Sequence, residues 1–124
     1  MPIIKITVAD LAVTAELNDS ATAGKIIDNL PLRGIVNLWG EEIYFDIPVQ
    51  IDLASDAVAD VQVGTLAYWP MGSAFCIFFG PTPASTGPAP RAYSPVNVFG
   101  RIREDPAILK TVHDGAEITI ELVD

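Results

Sequence analysis

The sequence predicts a mainly β domain of about eight short strands and two short helices. Three observations carry that reading. Apolar residues alternate with polar ones along most of the chain, turn residues punctuate the alternation at short intervals, and helical spacing never recurs between strands. Without repeated strand–helix alternation, a parallel α/β sheet is disfavoured. The length of 124 residues suits one domain over 1–124. Half the residues are apolar and 19% are charged, so the chain can bury a core and does not have a disordered composition. About eight strands can close into a small barrel filled by side chains, which removes exposed edges. Alternation alone leaves barrel and sandwich both open.

Ile4, Ile6 and Val8 alternate with Lys5 and Thr7, and Leu11, Val13, Ala15 and Leu17 alternate with Ala12, Thr14 and Glu16. Both stretches are half-buried strands, joined across Ala9-Asp10 by a tight hairpin. Asn18-Asp19-Ser20 offers a helix cap. Ala23, Ile26, Ile27 and Leu30 then follow at the spacing of one helical face, and Pro31 stops the helix. A helix over about 20–29 results, its apolar stripe covering one opening of a sheet or barrel.

Ile35 to Trp39 reads as a strand ending at Gly40, and Ile43, Phe45 and Ile47 as the inward face of the next, ended or made an edge by Pro48. Residues 50–63 form an irregular connection with a short strand. Thr65 to Trp69 and Ala74 to Phe79 are two strands joined by Pro70-Met71-Gly72-Ser73, where proline presets one backbone angle and glycine permits the other. Residues 80–95 hold half of the chain's ten prolines. So long a loop is either functional or a plain surface connection. Val96, Val98 and Ile102 mark another strand, with Gly100 suggesting a bulge or bend. Asp105 and Pro106 start a short second helix, Asp114-Gly115 closes it, and Ile118, Ile120 and Leu122 face inward on a last strand.

Sixteen acidic against seven basic residues give a net charge of -9. Phosphate backbones and anionic membrane surfaces are bound by lysine and arginine, so nucleic acid and membrane are not expected partners. The longest apolar run, Ala74 to Phe79, is far short of the roughly 20 residues that span a bilayer. No signal peptide is visible at the N-terminus. Cys76 is the only cysteine, which rules out an intrachain disulfide and points to a reducing, cytoplasmic setting. Its apolar neighbours make it a buried small hydrophobe rather than a nucleophile.

Metal and cofactor signatures are missing. Zinc wants several histidines or cysteines, and there is one of each. Asp52, Asp56 and Asp60 lack a calcium loop's ligand pattern, and no glycine-rich phosphate loop or nucleophile elbow occurs. No metal and no cofactor are therefore expected. His113, the only histidine, suits a helix C-terminus. Glu41-Glu42 is the only carboxylate pair beside aromatics. It reads as a solvated turn or, if buried, as a general acid.

Four segments point further: Val36-Asn-Leu-Trp-Gly-Glu-Glu-Ile-Tyr-Phe45, Gly64-Thr-Leu-Ala-Tyr-Trp-Pro-Met-Gly72, Ala74-Phe-Cys-Ile-Phe-Phe-Gly-Pro-Thr-Pro83 and Ser94-Pro-Val-Asn-Val-Phe-Gly-Arg-Ile102. In this order and spacing, the chain resembles the small prokaryotic cyclophilin-like family, often described as atypical cyclophilins. The resemblance spans nearly the whole chain. It implies a closed eight-stranded barrel capped by two short helices. Peptidyl-prolyl isomerases of that fold carry Phe-His-Arg and Gln-Gly-Gly-Asp segments, and neither exists here. Their catalytic residues therefore do not carry over.

The remaining site candidate is a pocket beside the proline-rich loop 80–95. Tyr44, Tyr68, Trp69, Phe79 and Tyr93 would wall it, with Thr82, Ser85, Arg91, Asn97 and Arg101 as polar groups. Aromatic walls with a few polar groups make ligand pockets, and an arginine can hold a carboxylate. The competing reading puts the aromatics in the core and pairs the arginines with surface acids. The sequence thus predicts a domain that binds a small molecule or short peptide. The alternatives are a prolyl isomerase using Arg91 or Arg101, and a hydrolase or lyase using Glu42.

Overall fold

The structure is a computed structural model that describes residues 2–123. Strands β1 (Ile3–Val8) and β2 (Leu11–Leu17) form the N-terminal hairpin, with Val8 opposite Leu11. Ala9 takes a φ of 54° to turn the chain within two residues. Helix α1 (Ala21–Asp28) follows. The Ser20 hydroxyl accepts from the Ala23 backbone N–H at 3.1 Å, satisfying an otherwise unpaired donor, an effect usually worth about 1 kcal/mol.

Next come β3 (Leu32–Ile35), β4 (Asn37–Leu38), β5 (Glu42–Asp46), β6 (Val58–Asp60), β7 (Thr65–Trp69), β8 (Ala74–Phe78), β9 (Arg91–Ile102) and β10 (Glu117–Val123). A single 3-10 turn at Pro70–Gly72 and a two-turn 3-10 helix at Pro106–Thr111 sit where the sequence placed a turn and a second helix. Asp105 caps the latter, its carboxyl accepting from Ala107 N–H at 3.0 Å.

The expected closed eight-stranded barrel does not form. The described residues make one ten-stranded sheet, hydrogen-bonded in the order β3-β10-β1-β2-β9-β7-β8-β5-β4, with β6 added on β9. The two end strands, β3 and β4, are not paired with each other. They follow one another along the chain with Val36 between them, so a single bent segment supplies both edges and the ladder stays open. Val36 still follows the β3–β10 register, its N–H donating to the Ala116 carbonyl at 2.8 Å, before the chain leaves for β4.

Strand β9 also begins earlier than alternation suggested. Residues 91–95, read as loop, are strand, and the proline-rich connection shortens to 79–90. Pro95 is tolerated because β9 is paired only sparsely there, with β6 meeting it at Arg91 and Val96. Gly100 does accompany a bulge: Leu66 pairs Gly100 and Ala67 pairs Val98, leaving Phe99 as the extra residue.

Alternating residues of the strands fill the main core with Ile4, Ile6, Leu17, Ile43, Leu66, Phe75, Ile120 and their neighbours. Phe75 lies at its centre, 5.2 Å from the Phe45 ring and edge-on to Phe99 at 5.1 Å. Helix α1 buries Ala23 and Ile26 against one end of this core. Strands β7 and β8 are buried on both faces, because their outward residues meet a second, smaller core. The candidate site lies beside that second core.

Candidate functional site

The strand pleat sorts the residues. On β5, Ile43 and Phe45 enter the main core while Glu42 and Tyr44 project from the opposite face. On β8, Phe75 and Ile77 point inward, and Ala74, Cys76 and Phe78 outward. On β7, Leu66 and Tyr68 point inward, and Ala67 and Trp69 outward. The outward residues pack with Val61, Ala92 and Val96. Next to them is a hollow of about 140 Å³ lined by Trp39, Glu42, Tyr44, Trp69, Ala92, Tyr93 and Val96.

Each aromatic wall has a local support. Trp39 sits in the β4–β5 turn, which is closed by reciprocal backbone bonds between Trp39 and Glu42 at 3.0 and 3.2 Å. Gly40 in that turn has a φ of +60° and abuts the proline-rich loop. A Cβ there would lie 2.9 Å from Thr82 Cα, which leaves no room for a side chain. Glu41 N–H donates to the Pro81 carbonyl and Phe79 N–H to the Glu41 carbonyl, both at 2.9 Å, so the loop is laid along the turn that holds Trp39.

Trp69 ends β7. Its indole Nε1–H donates to Ser94 Oγ at 2.6 Å, and Gly72 gives the ring space, since a Cβ there would stand 2.5 Å from it. Tyr93, 71% exposed, meets both indoles at steep angles: its centroid is 6.1 Å from Trp39 at 71° and 6.0 Å from Trp69 at 78°. Such pairs prefer this geometry and are commonly worth about 0.5–1.5 kcal/mol beyond their buried area.

Glu42 is the one acid in the lining, and only 6% of it is exposed. Burial pushes its carboxyl up to about 7, and a hydrogen bond from the Cys76 thiol acts weakly the other way. The ion pairs among the described residues are Arg91–Asp60 at 2.8 Å and Lys110–Glu41 at 3.9 Å, so none neutralises Glu42. Cys76 is fully enclosed. Burial first, then the negative charge of Glu42, lift its thiol well above the usual range. Its Sγ also lies 3.8 Å from the Ala74 carbonyl, which competes with Glu42 for the single thiol proton. No group of three or more metal-binding side chains occurs among the described residues.

The structure gathers Tyr44, Trp69 and Tyr93 at the hollow and distributes the other sequence candidates elsewhere. Tyr68 lies in the main core, its hydroxyl donating to the Val49 carbonyl at 2.6 Å. Phe79 joins the same core, in step with Phe75 and Ile77. Thr82 and Ser85 stitch the proline-rich loop together. Thr82 N–H donates to Ser85 Oγ, and the two hydroxyls donate to the Arg91 and Ala89 carbonyls respectively. Proline nitrogens cannot close these turns, so hydroxyls do.

Arg91 is held outside by Asp60. Asn97 is buried and ties down the 50–63 connection: it accepts from Ala54 N–H at 2.8 Å and donates to the Asp52 carbonyl at 2.9 Å. Arg101 lines a separate hollow with Glu16, Leu17, Asn18, Val98 and Gly100. His113 is exposed, beyond the last 3-10 turn. The site list drawn from the sequence lacked Trp39, Glu42, Ala92 and Val96. The Glu41-Glu42 pair had drawn attention, but only burial separates the two: Glu41 pairs with Lys110 while Glu42 turns into the hollow.

The Cyclophilin-like family profile matches residues 2–121. The chain belongs to this family. The cyclophilin-like assignment agrees with a solved relative, the hypothetical protein AF2241 from Archaeoglobus fulgidus. It is 35% identical over 98% of this chain and 95% of that one, with a TM-score of 0.82. The cyclophilin-like fold also recurs in McbB, whose structure was solved in complex with tryptophan. That match has a TM-score of 0.69 and 16% identity, and covers 95% of this chain but 44% of McbB. This likeness is one of fold. No curated protein matches the chain significantly. No helix among the described residues is long and apolar enough to cross a membrane. All four family-like segments bear on the site: Trp39, Glu42 and Tyr44 come from the first, Trp69 from the second, Cys76 beside Glu42 from the third, and Val96 from the fourth.

Proposed function

We propose that this cyclophilin-like chain is a small-molecule-binding domain and that the aromatic hollow beside the proline-rich loop is its site. One observation carries the reading: Trp39, Trp69, Tyr44 and Tyr93 converge on a concavity whose floor holds a single buried carboxyl. Apolar and aromatic walls with few polar groups are what small-molecule sites are made of. The volume favours one compact group, since a cavity of roughly 150 Å³ accommodates benzene. A short peptide would engage it through one side chain. The single enclosed thiol suits a reducing compartment such as the cytoplasm.

The isomerase alternative draws no support from the hollow. Arg91 is committed to Asp60, Arg101 lines another depression, and the aromatic lining contains no guanidinium. Acid–base chemistry by Glu42 is favoured by one observation, a carboxyl near 7 in a hollow, where proton transfer at neutral pH is efficient.

A thermal-shift screen of metabolites, read alongside Trp39 and Trp69 fluorescence, tests the binding reading. A true ligand raises the melting temperature of the wild type and perturbs its fluorescence, and Trp69→Ala abolishes the shift. Ligands that stabilise the wild type and Trp69→Ala equally place the site elsewhere. Loss of a detected turnover in Glu42→Gln, with ligand binding kept, would make the domain an enzyme.

A further inference from the structure

We infer that the hollow recognises an organic cation, a quaternary ammonium or protonated amine, held by the Glu42 carboxylate within the Trp39–Tyr93–Trp69 wall. The inference rests on the proposed binding reading and names its ligand class. Aromatic rings attract cations through their quadrupoles, most strongly when water is excluded. Here three such rings form one continuous wall: Tyr93 contacts both indoles at about 6 Å. A fourth ring, Tyr44, shares the lining with Glu42 on the same strand.

The charge balance points the same way. Once ionised, a carboxylate buried in an apolar setting is stabilised by a cationic partner. Glu42 has no ion pair among the described residues, and the nearby basic side chains Arg91 and Lys110 are engaged by Asp60 and Glu41. On the neighbouring strand β8, Phe78 stands opposite Glu42 and the titratable group beside it is the Cys76 thiol, which is neutral. Every ring in the lining is uncharged and Ala92 and Val96 are apolar, so the hollow offers negative potential and no positive charge. An anionic ligand would meet repulsion from the ionised carboxylate, which a cation neutralises and a neutral ligand does not. The size fits a trimethylammonium or a benzylammonium head.

Ionising Glu42 is part of binding. Burial lifts its carboxyl to about 7, and a fixed-charge cation must displace that proton. Affinity for such a cation therefore rises with pH and levels off once Glu42 is ionised.

The test measures tryptophan fluorescence and indole N–H NMR shifts of the whole chain, titrated with tetramethylammonium and benzylamine. tert-Butanol, benzyl alcohol and benzoate serve as neutral and anionic counterparts. The expected result is that each cation binds at least about tenfold more tightly than its neutral counterpart. Tetramethylammonium affinity should also rise roughly tenfold between about pH 6 and pH 8. Glu42→Gln should remove the pH dependence and narrow the preference for each cation over its neutral counterpart to what the rings alone supply. Equal binding of cations and neutral molecules overturns the cation inference while the binding reading stands. A pH-independent tetramethylammonium affinity in the wild type overturns it as well, without recourse to any variant. If no probe binds at the hollow, both readings fall.

Discussion

Replacing Glu42 with glutamine should stabilise the protein above neutrality and do little in acid. The carboxyl is ordinary in the unfolded chain, at 4.5, and is raised to about 7 by burial in the folded one. Between these values the unfolded chain releases its proton while the folded chain keeps it. Stability is therefore highest below about 4.5, falls as pH rises through this window, and is level again above about 7. The gap, at about 1.36 kcal/mol for each tenfold change in proton affinity, amounts to roughly 3 kcal/mol as an upper figure. Glutamine has nearly the same shape and keeps an acceptor for the Cys76 thiol, so the comparison isolates the charge. Asp60, held low by Arg91, weakens the fold in acid, but it does so equally in both proteins and cancels. Urea unfolding of wild type and Glu42→Gln at about pH 4 and pH 8.5 measures the effect. The variant should gain up to about 3 kcal/mol at the higher pH and close to nothing at the lower. A difference that is the same at both pH values would refute the burial argument.

Asn97→Ala should cost about 2–3 kcal/mol in urea unfolding, because it strands Ala54 N–H and the Asp52 carbonyl beneath the 50–63 connection. A loss under half a kilocalorie would show that water replaces these bonds. Gly100→Ala should destabilise by about 1–3 kcal/mol. A Cβ there would lie 2.7 Å from the Glu16 carbonyl and 2.8 Å from Leu17 Cδ2, so β2 and β9 must part. An unchanged melting temperature would contradict that close approach. Cys76 should resist thiol reagents in the folded protein and react at a rate that follows global unfolding, since the thiol is enclosed and its thiolate is disfavoured. Fast labelling under native conditions would show that the second core opens locally.

Most of the strands were legible because alternation is local. Thr65–Trp69 has the bounds that its pattern gives, and the hairpin across Ala9-Asp10 follows from two flanking runs. The cap at Ser20 and the stop near Pro31 framed α1. The same alternation could have removed Tyr68 and Phe79 from the site list. Their parity with Leu66 and with Phe75 and Ile77 sends them inward. Arg91 was unreadable for another reason: Asp60, its partner, lies on β6, and the pairing of β6 with β9 leaves no mark in either segment.

Composition and pattern determined that this chain is a β protein, which residues share each face, and that Cys76 is enclosed, because each follows from neighbours a few positions away. Tertiary structure alone decided that the ladder stays open at β3 and β4, that the outward faces of β7 and β8 gain a second core, and that Glu42 is buried while Glu41 is not. It also brought Trp39 against Tyr93. These outcomes depend on which distant strands meet and where their edges fall. That is settled by packing the whole chain at once, and a local period carries no information about it.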